Sequence, residues 1–192
     1  GVHDQVPDSP TNNFATLNSL STIGTVALSE GNLKVQVGGS SSVDQAFSSF
    51  AIPTTGKWYC EVGMTTIASN YSAIGLSALA DGRNTGQLPR HGYLQDGQKI
   101  AYSTKSSYGN SFANGDVLSM AIDRDNRKVY FAKNGTYQNS GDPAAGSNAA
   151  FTSITQEYDL QVVVYNATTS GTAGASTFIF NAGQDSSFAG TE

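Results

Sequence analysis

Two histidines, one cysteine and a few closely spaced acids are the residues with which this 192-residue chain could do chemistry. Nucleophilic hydrolysis needs a serine or cysteine within reach of a base, usually histidine, that a third group orients. His3 stands among turn-forming residues, and His91 sits between Arg90 and Gly92 in a segment that reads as a loop. No G-x-S-x-G elbow accompanies either. The pattern predicts no triad, and it predicts His91 as a surface contact on a loop. Cys60 shares an alternating face with Trp58, Val62 and Met64. A free thiol on such a face packs as a small apolar group and stays inert. Glycoside hydrolysis wants two carboxylates about 5–10 Å apart. Glu157 and Asp159 would share one face of a strand, but position 161 is Gln and only Tyr158 adjoins them, so the pair reads as a polar strand start. Asp123-Arg124-Asp125-Asn126 offers oxygens, yet calcium wants about six to eight of them. Basic residues interleave these acids, so the segment reads as an Asx-type turn with local ion pairs. The glycine-rich stretch 37–42 lacks the lysine and the following helix of a phosphate loop. The sequence thus assigns no catalytic residue, no metal ligand and no cofactor.

Loops hold the remaining candidates. Segment 81–93 carries Arg83, Arg90, His91 and Tyr93; segment 104–113 carries Lys105, Tyr108, Asn110 and Phe112; Tyr71 lies in a third loop. Tyr and Arg dominate binding hot spots, and loops on a rigid scaffold carry function more often than its sheets do. The ligand-binding candidates are therefore Tyr71, Arg83, Arg90, His91, Tyr93, Lys105, Tyr108 and Asn110.

The elements that must position them alternate with period two. Leu33, Val35 and Val37 face one way; so do Trp58, Cys60, Val62 and Met64 across 57–64. Ile74 and Leu76 mark another strand, as do Leu118, Met120 and Ile122 across 117–123. Val129 and Phe131 do the same across 128–133, Leu160, Val162 and Val164 across 159–166, and Phe178 with Phe180 across 177–181. Weaker strands fall at 46–52, 92–94 and 99–103. Asn114-Gly115-Asp116 and Asn134-Gly135 supply hairpin-type turns. No twelve-residue window holds a helical repeat. Many short strands with turn signals predict an all-β sandwich or barrel of one domain. The first 31 residues carry no periodicity and are read as an extended lead-in lying across a sheet, with Phe14 and Leu17 as pegs, ahead of a sandwich over 32–192.

Charge narrows the function classes. Charged residues make up 13% of the chain and the net charge is −5. Nucleic-acid binding needs a basic footprint, and no Lys/Arg cluster exists. No apolar run reaches the roughly 18–20 residues of a membrane span. Neither a nucleic-acid partner nor membrane insertion is expected.

Six segments in order resemble the SPRY domain family. Gly56-Lys57-Trp58-Tyr59-Cys60-Glu61-Val62 is similar to its G-K-W-Y-x-E-V strand, and Ile74-Gly75-Leu76 to the strand that follows. Gly92-Tyr93 with Lys99 and Tyr102 resembles the next hairpin; segment 114–123 resembles x-G-D-V-I-G-V-x-L-D; segment 129–135 resembles I-x-F-x-K-N-G; and segment 178–184 resembles F-x-F-N-F-G-Q. Two positions depart from the family pattern: Ala182 stands where Phe is common, and Cys60 where a larger apolar residue is usual. The resemblance implies two antiparallel sheets packed face to face, a concanavalin A-like jelly roll, and a non-enzymatic binding module that uses loops at one end. Segments 8–18 and 134–146 resemble, more narrowly, the SPRY-type domains of bacteriophage virion proteins. That likeness implies an extracellular place on the exposed particle surface, in a tail fibre, an appendage or a head fibre cut from a longer protein. Its partners would be a host-surface glycan or protein, or other virion proteins if the role is capsid decoration or tail assembly. A homotrimer is one assembly a fibre setting would allow.

Overall fold

The computed structural model describes residues 14–38, 43–68, 71–78, 89–154, 160–167 and 174–185. In chain order the strands are β1 (Leu17–Ile23), β2 (Val26–Ser29), β3 (Lys34–Val37), β4 (Asp44–Ser48), β5 (Lys57–Thr66), β6 (Ala73–Ala78), β7 (His91–Leu94), β8 (Gln98–Ala101), β9 (Thr104–Ser107), β10 (Val117–Asp123), β11 (Lys128–Lys133), β12 (Thr136–Tyr137), β13 (Phe151–Thr152), β14 (Leu160–Asn166) and β15 (Ser176–Asn181). The one helical element among the described residues is a 3-10 turn at Gln138–Ser140. One sheet runs β1-β4-β14-β6-β7-β8-β9; the other runs β12-β11-β10-β5-β15-β3-β2, with β13 on β11. The strand neighbours β10–β11, β10–β5, β15–β5 and β14–β6 are all antiparallel. The fold is an all-β, two-sheet antiparallel sandwich.

The core lies between the sheets where the period-two pattern puts it. Met120 sits between Cys60 and Phe131, Leu118 opposite Val62, and Phe180 opposite Val62 on the other side. Val35, Ile74, Leu76, Leu160, Val164 and Phe178 join them, all fully buried. Every residue of β6, β7 and β14 is buried, on both faces of the first sheet. Val162-Val163-Val164 and Ala73-Ile74-Gly75-Leu76 already read as the continuous apolar or small runs of strands covered on both sides. A second apolar cluster of Ala73, Leu94, Ile100, Tyr165 and Ala167 accordingly forms on that sheet's outer face.

Four sequence expectations change. Residues 17–29 are not coil: β1 hydrogen-bonds to β4 and β2 to β3, one in each sheet. Their mixed polar sequence hid them because these outer strands bury little: β1 buries only Leu17 and Ser21 and has an irregular register between Leu17 and Thr22, and β2 buries none of its residues fully. Leu17 is fully buried, while residues 1–13 lie outside the described residues. The strand expected at 99–103 stops at Ala101, because Tyr102 takes a positive φ and turns the chain into β9. The strand expected at 46–52 spans Asp44–Ser48 instead, and 49–56 becomes a loop. Segment 104–113 is consequently part strand and not wholly loop.

Candidate binding site: an apolar groove at one end of the sandwich

The end where β5 and β15 meet the 49–56 loop holds an open groove of about 310 Å³. The groove exists because a loop is held off the sheet. Gly56 has φ +86°, a left-handed value that favours glycine. Its N–H donates to the Asp125 carboxylate at 2.8 Å, and its carbonyl accepts from the Arg124 N–H at 2.9 Å. The Arg124 side chain, fully buried, reaches under the loop and donates through Nε to the Pro53 carbonyl at 3.1 Å. The expected local ion-pair turn at 123–126 thus turns out to be a clamp on this loop. Asp123 does cap the turn, accepting from the Asn126 N–H at 2.8 Å and its side-chain amide at 2.9 Å. Burial alone would raise the Asp123 carboxyl, but these Asn126 bonds and the Lys57 charge outweigh it and hold it below the ordinary range.

The lining is apolar. Phe50, Ile52 and Pro53 come from the loop, Trp58 and Cys60 from β5, and Ala182 from the end of β15. Phe14 closes one side, its ring 3.3 Å from where a side chain on Gly183 would begin, and Gly183 itself has φ +107°. Two aromatic rings stay open to solvent here, Phe50 at 50% and Trp58 at 43% exposure; Tyr59, at 53%, follows the outward alternation and turns its ring to the outer face of the sheet, where its hydroxyl meets Glu61. Trp58 follows the inward alternation, yet it lies at the very start of β5, past the edge of the core. The two positions that depart from the family pattern, Cys60 and Ala182, both face this groove. Small side chains there leave the space that larger ones would fill.

The polar side-chain groups of the lining residues are engaged internally. The Trp58 indole N–H donates to the Thr55 carbonyl at 2.9 Å. The Ser48 hydroxyl donates to the Phe50 carbonyl at 2.8 Å and accepts from the Val162 N–H at 3.2 Å. The Tyr59 hydroxyl donates to Glu61 at 2.7 Å, and burial, reinforced by Glu61, pushes its pKa up. Burial, with the Glu61 charge adding, pushes the Cys60 thiol up to about 12. At neutral pH that thiol is protonated and is a poor nucleophile.

The loop candidates do not converge. Tyr71, Lys105 and Asn110 lie toward the end of the sandwich where β5 stops; Arg90 and His91 lie toward the groove end, on the far side of the first sheet. Lys105 Nζ stands 3.6 Å from the centre of the Tyr71 ring and 3.9 Å from Asp96. Asn110 is exposed, but its N–H donates to Gln138 at 2.9 Å and its carbonyl accepts from the Tyr93 hydroxyl. Arg83, Glu157 and Asp159 fall outside the described residues.

Several expectations for these residues are corrected. Tyr93 is 0% exposed, an inward residue of β7 packed against Tyr108, Phe112 and Phe131 at 5.5–5.6 Å between ring centres. Tyr108 and Phe112 are buried with it, so the rings of all three pack into the core and are not presented on a loop surface. The segment that bears Tyr108 folds back over the sandwich mouth, and its rings finish the core. His91 is not on a loop but in β7, buried against Phe151 at 4.9 Å, with neither ring nitrogen hydrogen-bonded among the described residues. Burial, with Arg90 beside it, pushes its pKa down to about 4. Arg90 is buried too, its guanidinium 5.8 Å from the Tyr102 ring. Counting Tyr and Arg in loops missed the groove, whose only sequence signals were the apolar run Phe50-Ala51-Ile52-Pro53 and the two undersized residues Cys60 and Ala182.

No family model matches the sequence, and no curated protein matches it. Solved structures do match. The SPRY domain of human HERC1 superposes with a TM-score of 0.64 at 14% identity, over 88% of this chain and 99% of that one. A second human SPRY domain gives 0.62 at 14% identity, over 83% and 96%. The chain has the SPRY fold.

Proposed function

We propose that this chain is a non-enzymatic recognition module whose binding surface includes the groove end of the sandwich. The observation that carries the reading is an apolar opening flanked by Phe50 and Trp58, two of the five large hydrophobic residues left exposed among the described residues. Exposed apolar surface concentrated at one place marks an interaction site. Two of the solved structures that this chain resembles are SPRY domains, and the binding role that the sequence resemblance implies for that family supports the same reading. Fold likeness by itself names no ligand.

The setting we propose is a bacteriophage virion protein, a tail fibre, appendage or head fibre that meets a host-surface glycan or protein. The sequence likeness of segments 8–18 and 134–146 supports it. The second of these is an ordered excursion: Asp142 bridges to Ser147 and caps Ala144 and Ala145, and Lys128 donates to the Gly146 carbonyl at 2.6 Å. A docking role on other virion proteins is favoured by Leu20, which is 89% exposed on the outermost strand of the first sheet. Labelled domain incubated with candidate host bacteria, with unlabelled domain as competitor, tests the main reading. Saturable, competed binding is expected. Binding only to the virion, with none to any susceptible strain, would transfer the role to particle architecture.

A further inference from the structure

We propose that the groove receives one bulky uncharged side chain, aromatic or branched aliphatic, presented by a protein partner, and that it does not bind sugar. The inference rests on the recognition reading above and narrows it from a glycan or a protein to a protein.

Charge and hydrogen-bonding complementarity single out this occupant. None of the residues lining the groove is ionisable at neutral pH: its titratable members are Cys60, pushed up to about 12, and Tyr59, pushed up by burial. A charged anchor entering it would lose water and gain no counter-charge. A sugar needs convergent donors and acceptors for its hydroxyls. Here the Trp58 indole N–H, the Ser48 hydroxyl and the Tyr59 hydroxyl are already committed to Thr55, Phe50 and Glu61. Each sugar hydroxyl seated against Ile52, Pro53 or Ala182 would go unsatisfied. A volume of about 310 Å³ sits at the small end of ligand pockets, which start near ~300 Å³. That is room for one large side chain rather than for an oligosaccharide. Aromatic residues around an uncharged centre are the composition of a protein interface core.

Rigidity supports the assignment. The 49–56 wall is pinned by the Arg124 clamp and by Gly56 to Asp125, so the pocket is formed before its occupant arrives. A preformed pocket keeps the ordering cost of binding low. An anchor there would reach Cys60 at the floor and be covered by Phe50 and Trp58 at the rim.

The single tryptophan makes the test direct, because the whole chain has one indole N–H and it is at the rim. The full chain, labelled with nitrogen-15, is titrated with N-acetyl-phenylalaninamide, N-acetyl-leucinamide, N-acetyl-lysinamide, methyl α-glucoside and N-acetylglucosamine. Saturable movement of the Trp58 indole peak by the phenylalanine and leucine amides, with no movement from the lysine amide or either sugar, is the expected result. Ala182→Phe should fill the groove and weaken that binding at least tenfold while leaving the rest of the amide spectrum in place. Phe50→Ser is the second variant, opening the rim without filling the floor, and should weaken it severalfold. Movement with the sugars and not with the apolar amides would overturn the proposal, as would no movement with any probe. A peak that moves with protein concentration alone would give the groove to a second copy, and one that moves only on removal of residues 186–192 would give it to the chain itself; either also overturns it. Cell binding separates this from the broader reading. Cell binding unchanged in Ala182→Phe would sink the groove and leave the module's function standing. Groove binding without any cell binding would sink host adsorption alone.

Discussion

Where β5 begins, the rings of Phe50 and Trp58 stand open around a groove; where it ends, those of Tyr93, Tyr108 and Phe112 are inside and the polar side chains have found one another. At the polar end Asp116 holds Lys133 at 3.1 Å and Asn134 at 2.7 Å, Lys133 also donates to the Ser111 carbonyl, and Lys105 lies over Tyr71. Burial alone would raise the Asp116 carboxyl, but the Ala113 N–H, Asn134 and Lys133 pull it below the ordinary range. The polar side chains that line the groove are paired too, yet apolar surface is left over. Both places obey the requirement that polar side chains be paired. They differ only in whether the apolar side chains found cover. An uncovered apolar surface on a well-packed scaffold is the feature that needs a partner.

That contrast can be broken or sharpened by substitution. Tyr93→Ala should cost about 3–5 kcal/mol of unfolding free energy, because it empties a fully buried aromatic site. Trp58→Ala, at the rim, should cost less than about 1 kcal/mol. Urea unfolding of both variants checks the pair, and equal losses would mean that Trp58 belongs to the core and the groove is not a free surface.

Arg124→Met should cost about 1.5–3 kcal/mol, since it removes the hydrogen bond that the buried, charged guanidinium donates to the Pro53 carbonyl. It should also weaken binding by the phenylalanine amide through the freed 49–56 wall. A stability loss with unchanged affinity would mean that the clamp holds the fold and not the site.

His91 makes stability depend on pH. Its folded pKa, about 4, lies below its ordinary 6.5, so the unfolded chain takes up the proton first. The stability tied to the neutral ring is complete above pH 6.5 and is lost as pH falls toward 4, by roughly 2–3 kcal/mol. The thermal midpoint of the native chain should fall relative to that of His91→Phe as the pH is lowered from about 7.5 to 4. The carboxylates Asp116 and Asp123 titrate in both proteins and cancel in the difference. Parallel curves would mean that the ring is solvated in the folded state.

Lys105→Met should move stability by no more than about 0.5–1 kcal/mol, because its partners Tyr71 and Asp96 are at the surface. A larger loss would mark the polar end as structural in its own right.

The strands were legible in the sequence wherever one face is buried, because alternation is the direct imprint of a sheet on a core. Lys57 to Gly63 and Val117 to Asp123 pair residue for residue as their patterns require. β1 and β2 were not legible, since outer strands lean on backbone pairing that leaves no mark on side-chain type. The site was mostly illegible for a related reason. Tyr93 and Tyr108 look like contact residues by type, but a tyrosine in a short loop can fold inward and end a core as Tyr108 does. Phe50 and Trp58 look like core by type, and only their position beyond the last covered residue leaves them open. Residue type fixes what a side chain wants; whether it gets it depends on the three-dimensional boundary of the core. Cys60 and Ala182 did carry a trace, as residues too small for their places.

The most direct test of recognition at the groove end pairs two variants in one cell-binding assay. Phe50→Ser combined with Trp58→Ala strips the groove rim, and Lys105→Ser combined with Tyr71→Ser strips the polar end. With both proteins folded, the first should lose saturable binding to host cells by tenfold or more and the second should bind as the native chain does. Retention by the rim variant and loss by the polar-end variant would place recognition at the opposite end and contradict the account.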